Sequence, residues 1–376
     1  MNPSHSTLSR QEKLDRIRLY RSENVGPVTF RHLLARYGSA ARALAALPDL
    51  AARGGRGKPL RLASPAEAER EWQAVEAMGG QLLFDGEATF PAPLSAVDDA
   101  PPFLSVIGHP HLLKKPCVGL VGARNASLNG RRIAEDIARG LGAAGFVVVS
   151  GLAKGIDGAA HRGAMASGTV AVVAGGADVV YPAEHDRLHA EIAAQGAVLA
   201  ELPPGTVPQA RHFPRRNRII AGLSRGVLVV EAALKSGSLI TARFAADQGR
   251  EVMAVPGSPL DPRAKGCNEL IRNGAALIES AADVLAALER GREPTLFERR
   301  PDSGPSAPPA DFDARETARA RMVLLEALGH APTPLDLLVR ETGLPVALIQ
   351  ASLLEMELAG LVARHPGGQI ARIDFA

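Results

Sequence analysis

Several things are in short supply in this 376-residue sequence, and each shortage excludes something. There are two cysteines, Cys117 and Cys267. Two isolated thiols build neither a disulfide framework nor a thiolate metal cluster. They read as small buried hydrophobes. No apolar run approaches the roughly 18 residues of a membrane helix. The first twenty residues are polar and mixed in charge, without an apolar signal core. A soluble, cytoplasmic protein with no membrane partner is therefore expected. Aromatics are rare, with Trp 1, Tyr 3 and Phe 10, so the position of each one carries information. Lysine is rare as well: of 43 basic residues only 7 are Lys and 36 are Arg.

What is present is a globular composition. Apolar residues make up 46% and charged residues 22%, which excludes disorder as the main state. The length suggests two or three domains. The net charge is only +3. An arginine excess arises from a GC-rich genome without any function, or from phosphate recognition by a bidentate fork. Placement along the chain has to decide between them.

Residues 1–85 read as mostly helical. Within them, Asn24 to Leu44 runs from a Gly-Pro turn into an amphipathic helix, a Tyr-Gly-Ser break and a second helix. This resembles half of a helix-hairpin-helix module (also described as SAM-like), whose turn amides hold a DNA phosphate. A plain helix-turn-helix packing unit reads the same way.

From 86 to 290 the pattern changes to short Val-rich runs at 117–123, 146–151, 169–176, 197–202, 226–232 and 251–257. They are continuously apolar, as in strands buried on both faces. Helical stretches separate most of them. This predicts an α/β domain: an extended Rossmann-like, doubly wound, mostly parallel sheet. Residues 291–314 are rich in Pro, Ser and charge and read as a linker. The remainder, 315–376, gives three helices and a hairpin around Pro366-Gly367-Gly368, a winged-helix pattern.

Ligands of a doubly wound sheet bind outside the carboxyl ends of its strands. The first run is followed by Gly122-Ala123-Arg124-Asn125, the second by Ser150, Gly151 and Lys154, the fifth by Lys235-Ser236-Gly237-Ser238. Glycines let amides approach an anion, and helix N-termini favour negative charge. With Arg124, Lys154 and Lys235 on one edge, this is a phosphate-binding rim. Neither a dinucleotide fingerprint nor a P-loop is present, and no cofactor or metal is expected. The segment 211–225 holds Arg211, His212, Phe213, Arg215, Arg216, Asn217, Arg218 and Arg225 with no acid. A charge run is commonly just a solvated face. Against that stands Phe213, one of only four aromatics between 118 and 290. A ring among arginines suits a single strand: cations for its backbone and a surface to stack an unpaired base.

No catalytic constellation emerges, so the protein reads as a binder and not an enzyme. Asp157 and His161 share a helix face at i, i+4 and form a conceivable acid–base pair. The favoured reading is that Asp157 caps the helix and His161 packs or hydrogen-bonds. Glu231 beside Lys235 could polarise a substrate or orient the lysine loop. The second helix of the winged-helix pattern, Pro345 to Gly360, has no Lys or Arg and carries Glu355 and Glu357. An acidic helix is repelled by phosphate, which favours a protein-contact or dimer-support role. Arg364, His365 and Arg372 leave weak contact through the wing open.

The runs VGARNASLNG (121–130), SGLAKGIDGAAHRGAM (150–165), VVAGGADVVYP (172–182), FPRRNRIIAGLS (213–224), LKSGSLITARFAADQGREVMAVPGS (234–258) and GCNELIRNGAALI (266–278) together resemble the DNA-processing protein A (DprA/Smf) family, in that family's order. The resemblance implies single-stranded DNA binding and no nucleotide cofactor. It also implies a homodimer through the central domain, and handover of the protected strand to RecA recombinase in natural transformation. The family's Gly-Ser/Thr-Arg contact arginine falls on Arg124, with Ala123 where a hydroxyl stands in the motif. The FxxRNR run places Phe213, Arg216, Asn217 and Arg218 beside DNA. A basic contact three residues before that Phe falls on Ala210, with Arg211 as a substitute. Two other readings use the same fold: a nucleotide phosphoribohydrolase, whose GGxGTxxE run is not matched around Thr241, and a nicotinamide dehydrogenase, whose ribose acid is missing.

Overall fold

The computed structural model of the protein describes residues 7–290, 312–365 and 368–373. Residues 291–311 of the expected linker, and Pro366 and Gly367 of the expected hairpin turn, lie outside the described residues. Two compact units form. One falls within Glu71–Glu298, and the other combines Leu8–Arg70 with Arg299–Ala376.

The chain opens with α1 (Arg10–Arg21), α2 (Pro27–Tyr37), α3 (Ala40–Arg53) and α4 (Pro65–Ala77). The sheet unit then runs β1 (Gln81–Phe84), α5 (Ala92–Ser95), β2 (Phe103–Gly108), β3 (Cys117–Gly122), α6 (Leu128–Ala143) and β4 (Val147–Ser150). It continues α7 (Ile156–Ala164), β5 (Thr169–Val172), α8 (Asp186–Gln195), β6 (Ala197–Ala200), α9 (His212–Leu223) and β7 (Gly226–Val230). It ends α10 (Gly237–Asp247), β8 (Glu251–Ala254), α11 (Lys265–Arg272), β9 (Ala276–Leu277) and α12 (Ala281–Arg290).

The strand order is β1-β2-β6-β5-β4-β3-β7-β8-β9. From β6 to β9 all pairs are parallel, while β1 and β2 extend the edge antiparallel. All six Val-rich runs are strands of a Rossmann-like doubly wound sheet. Successive residues feed opposite layers, as strand geometry requires. Val147 and Val149 join Ile219, Ile220 and Phe244 on one face, whereas Val148 joins Ile137, Leu141 and Ala160 on the other. Burial on both faces is why these strands read as unbroken apolar runs. Strands β1, β2 and β9 have no such signature, being short or at an antiparallel edge. Both cysteines are buried, and burial pushes the Cys117 and Cys267 thiols up to about 12 and about 11. Thiols held so far from ionisation are unreactive.

The second unit adds α13 (Ala314–Ala327), β10 (Thr333–Pro334), α14 (Leu335–Thr342), α15 (Val346–Ala359), β11 (Val362–His365) and β12 (Gln369–Arg372). The three strands pair in the order β10-β12-β11, completing a winged helix. Leu324, Leu338, Ile349, Leu353, Met356 and Ile370 form its core. Helix α15 is buried along most of its length, because α13 covers one side and α3 the other.

That packing gives the two acids of α15 a partner of their own. Glu355 lies 3.3 Å from Arg53 at the end of α3. Glu357 accepts from Thr29 Oγ1 at 2.6 Å and from Arg364 Nε at 3.1 Å. Asn24 donates to the Leu358 carbonyl at 3.1 Å. The α2 N-terminus at Gly26-Pro27, where a helix-hairpin-helix module would hold a phosphate, therefore lies beside the chain's own Glu357. Among the described residues no single helix is long and apolar enough to cross a membrane.

Candidate nucleic-acid interface

The first connections run β3 to β6 leftward across the sheet, and the later ones run β7 to β9 rightward. The reversal between β3 and β7 makes a crevice at their carboxyl ends, the place where open α/β sheets take ligands. The turns after β3, β4 and β7 meet there.

Glycine is a packing requirement in this crevice. A Cβ on Gly122 would stand 1.9 Å from the Val230 carbonyl, and one on Gly151 would stand 1.5 Å from the Arg216 guanidinium. Gly155 has φ +76 and lies against the Ala123 and Arg124 carbonyls. The Ile156 amide donates to Ala123 O at 3.2 Å, so the β3 and β4 turns hold one another. Glu231, at φ 51, reaches across from β7. It accepts from the Ser127 amide at 2.8 Å and from the Ser127 hydroxyl, which itself caps α6. Glu231 thus fixes the β3 turn, and not the lysine loop. At the β7 turn, Ser236 caps α10 and bonds Ser238 at 2.7 Å. Gly237 has open space around it, and Lys235 is exposed.

The rim carries Arg124, which is exposed, and its guanidinium lies 5.0 Å from the centre of the Phe213 ring. Asn125 beside it is also exposed. The two features picked from separate segments of sequence are therefore one assembly. It has a third member that sequence reasoning missed. Tyr181 follows the β5 turn, and its ring centre is 5.5 Å from that of Phe213 with the planes inclined by 59°. Its signals in the sequence are that it is one of four aromatics in this region and that it follows the third Val-rich run. Arg211 is exposed and His212 half-buried at the start of α9. Burial, then Arg211 and Arg215, hold the His212 imidazole below its ordinary range.

Other candidates turn inward. Ser150 is fully buried and donates to Leu120 O at 2.6 Å, so it braces strands. Arg216, Asn217 and Arg218, expected beside DNA, are buried on α9. Arg216 donates to Val172 O at 2.9 Å and supports Gly151 from below. Asn217 donates to Gly237 O at 3.3 Å. Arg218 pairs with buried Glu201 and with Asp99, and Arg215 shares Glu201 at 3.1 Å. The run that lacks acid in sequence thus receives one from the end of β6. Arg225 belongs to the other edge of the sheet, where its amide bonds Cys117 O. Lys154 remains exposed and pairs with Glu184.

Asp157 accepts from the Gly151 and Ala153 amides at 3.2 and 3.3 Å, so it shapes the β4 turn. Burial raises its carboxyl against the opposing charge of Arg216. His161 packs: it is fully buried, its Nδ1 meets Thr169 Oγ1 at 2.9 Å, and burial pushes it down to about 3. A group neutral at every ordinary pH is a poor proton shuttle.

A Rossmann-like sheet with glycine-tight, cationic switch-point turns, in a chain that also carries a helical hairpin module and a winged helix, defines a class of Rossmann-like proteins with an anion-binding edge. The chain belongs to the DNA recombination-mediator protein A family, whose model matches residues 81–289. A DprA-like N-terminal HHH domain matches residues 10–74 and a DprA winged helix domain matches 307–368. Protein Smf of Escherichia coli strain K12 is 40% identical over 287 residues, 75% of this chain and 74% of its own length. The structure of DNA processing protein A from Streptococcus pneumoniae superposes with TM-score 0.62 and 37% identity, covering 74% of this chain and 98% of that one. That of Helicobacter pylori, solved for its single-stranded DNA binding mode, gives TM-score 0.51 and 29% identity over 56% and 96% of the two chains.

Proposed function

We propose that this protein binds single-stranded DNA along the carboxyl edge of its sheet, protects it, and hands it to RecA recombinase during natural transformation. In this reading it acts as a homodimer through the Rossmann-like unit and as a binder without catalysis. The observation that carries the reading is the Arg124–Phe213 pair, a cation and a ring on one exposed rim. Arg124 engages phosphate, Phe213 contributes ring surface, and the Gly122 and Gly237 turns lie along the backbone path, while the Gly151 amide is held by Asp157. Single strands suit such a site because unpaired bases can splay and stack, whereas a duplex keeps its bases inside. The binding mode described for the Helicobacter pylori relative supports the same ligand class.

The test is a titration of the full chain with single- and double-stranded oligonucleotides across a salt series. Single-strand preference with affinity falling steeply in salt is expected. Arg124→Ala should weaken single-strand binding by at least about tenfold, within the range of one lost stacking or phosphate contact, with unchanged thermal unfolding. Equal affinity of the variant and the parent overturns the assignment.

A further inference from the structure

Base stacking needs a ring with an open face. Phe213 is half-buried, and its ring is already engaged by Arg124 at 5.0 Å and by Tyr181 at 5.5 Å. Tyr181 is the outward member of the cluster, with 47% of its surface exposed. An isolated exposed aromatic needs no explanation. This one is not isolated: it rests on the ring that joins it to the rim arginine. Its neighbours also match the ligand. Arg124 and Arg211 supply exposed cations for phosphate, and the buried Arg216 guanidinium lies beneath the Gly151 turn.

Resting on the single-strand reading above, we propose that Tyr181 is the base-stacking residue of this interface, with Phe213 as its support and Arg124 as the adjoining phosphate contact. The ligand is an unpaired purine or pyrimidine base, since every base offers a π face. Tyr181 fixes where the base sits, and the exposed cations fix the phosphate beside it. The contribution of Tyr181 is then independent of salt, because stacking releases no counterions.

Two labelled strands of equal length, one oligo-dT and one abasic throughout, separate these roles. Fluorescence anisotropy with the full chain in a salt series is the readout. The parent should favour the base-bearing strand. Tyr181→Ala should lower oligo-dT affinity by at least about tenfold, leave abasic affinity unchanged and keep the salt slope. Tyr181→Phe should stay within about twofold of the parent. Because Tyr181 is exposed, both variants should unfold thermally with the parent. A Tyr181→Ala protein that matches the parent on oligo-dT, or loses equally on both strands, overturns the proposal alone. A parent that binds neither strand overturns the single-strand reading and this proposal with it.

Discussion

Arg124, Arg216 and Arg218 carry the same side chain to three different ends. Arg124 is exposed on a turn, Arg216 is sealed beneath Gly151, and Arg218 is locked to Glu201. Position in a tight βα turn made Arg124 legible from the sequence. Nothing local marked Arg218 as buried, because its acid lies 17 residues away at the end of another strand. His161 shows the same limit with a pH consequence. Burial, with His185, Arg216 and Arg162 nearby, lowers it from 6.5 to about 3. The unfolded chain therefore takes up a proton below its ordinary value that the folded one refuses. Stability gained from His161 is present above that value and falls as the pH drops toward about 3, by up to about 1.4 kcal/mol per pH unit. Urea titrations between pH 7 and 4 should show a shallower acid loss for His161→Gln than for the parent. Parallel curves would contradict this.

At the scale of elements, the turns matter more than the strands they join. The six buried strands were readable because both faces are covered, and the glycines after them were readable as turns. Which glycines are indispensable was not readable. Gly151 has the Arg216 guanidinium where a Cβ would go, and Gly237 has empty space. Gly151→Ala should therefore displace Arg216 and destabilise the sheet unit by about 1–3 kcal/mol, as overpacking does. Gly237→Ala, in the first turn of α10, should be neutral or stabilising by up to about 1 kcal/mol. Equilibrium denaturation of the two variants side by side checks the contrast. The antiparallel strands β1 and β2 escaped the sequence because their residues neither run continuously apolar nor sit between helices of a βαβ repeat.

For the molecule as a whole, the chain's two ends share one compact unit. The helical module and the winged helix meet through α3 and α15. The acidic surface of α15, which reads as hostile to DNA, is a surface for another part of this chain. Helix α15 is accordingly covered by α3 and not offered to a groove. Contact is close: a Cβ on Gly54 would lie 2.0 Å from the Glu355 carbonyl. Gly54→Ala should cost this unit about 1–3 kcal/mol. Calorimetry of the full chain should show its transition lowered while that of the sheet unit stays in place; an unchanged scan would argue that the contact is dispensable.

Sequence alone determined the doubly wound sheet, the glycine turns at its carboxyl edge, the winged helix, and Arg124 and Phe213 as residues of interest. Each follows from short-range pattern: periodicity, turn chemistry, and the company a residue keeps within a few positions. Tertiary structure decided that Arg124, Phe213 and Tyr181 form one cluster, that Glu201 neutralises part of the arginine run, and that Thr29 meets Glu357 across a separation of 328 residues. Those pairings depend on where folded elements come to rest, and the energy of a charge depends on its burial and partner far more than on its neighbours in the chain.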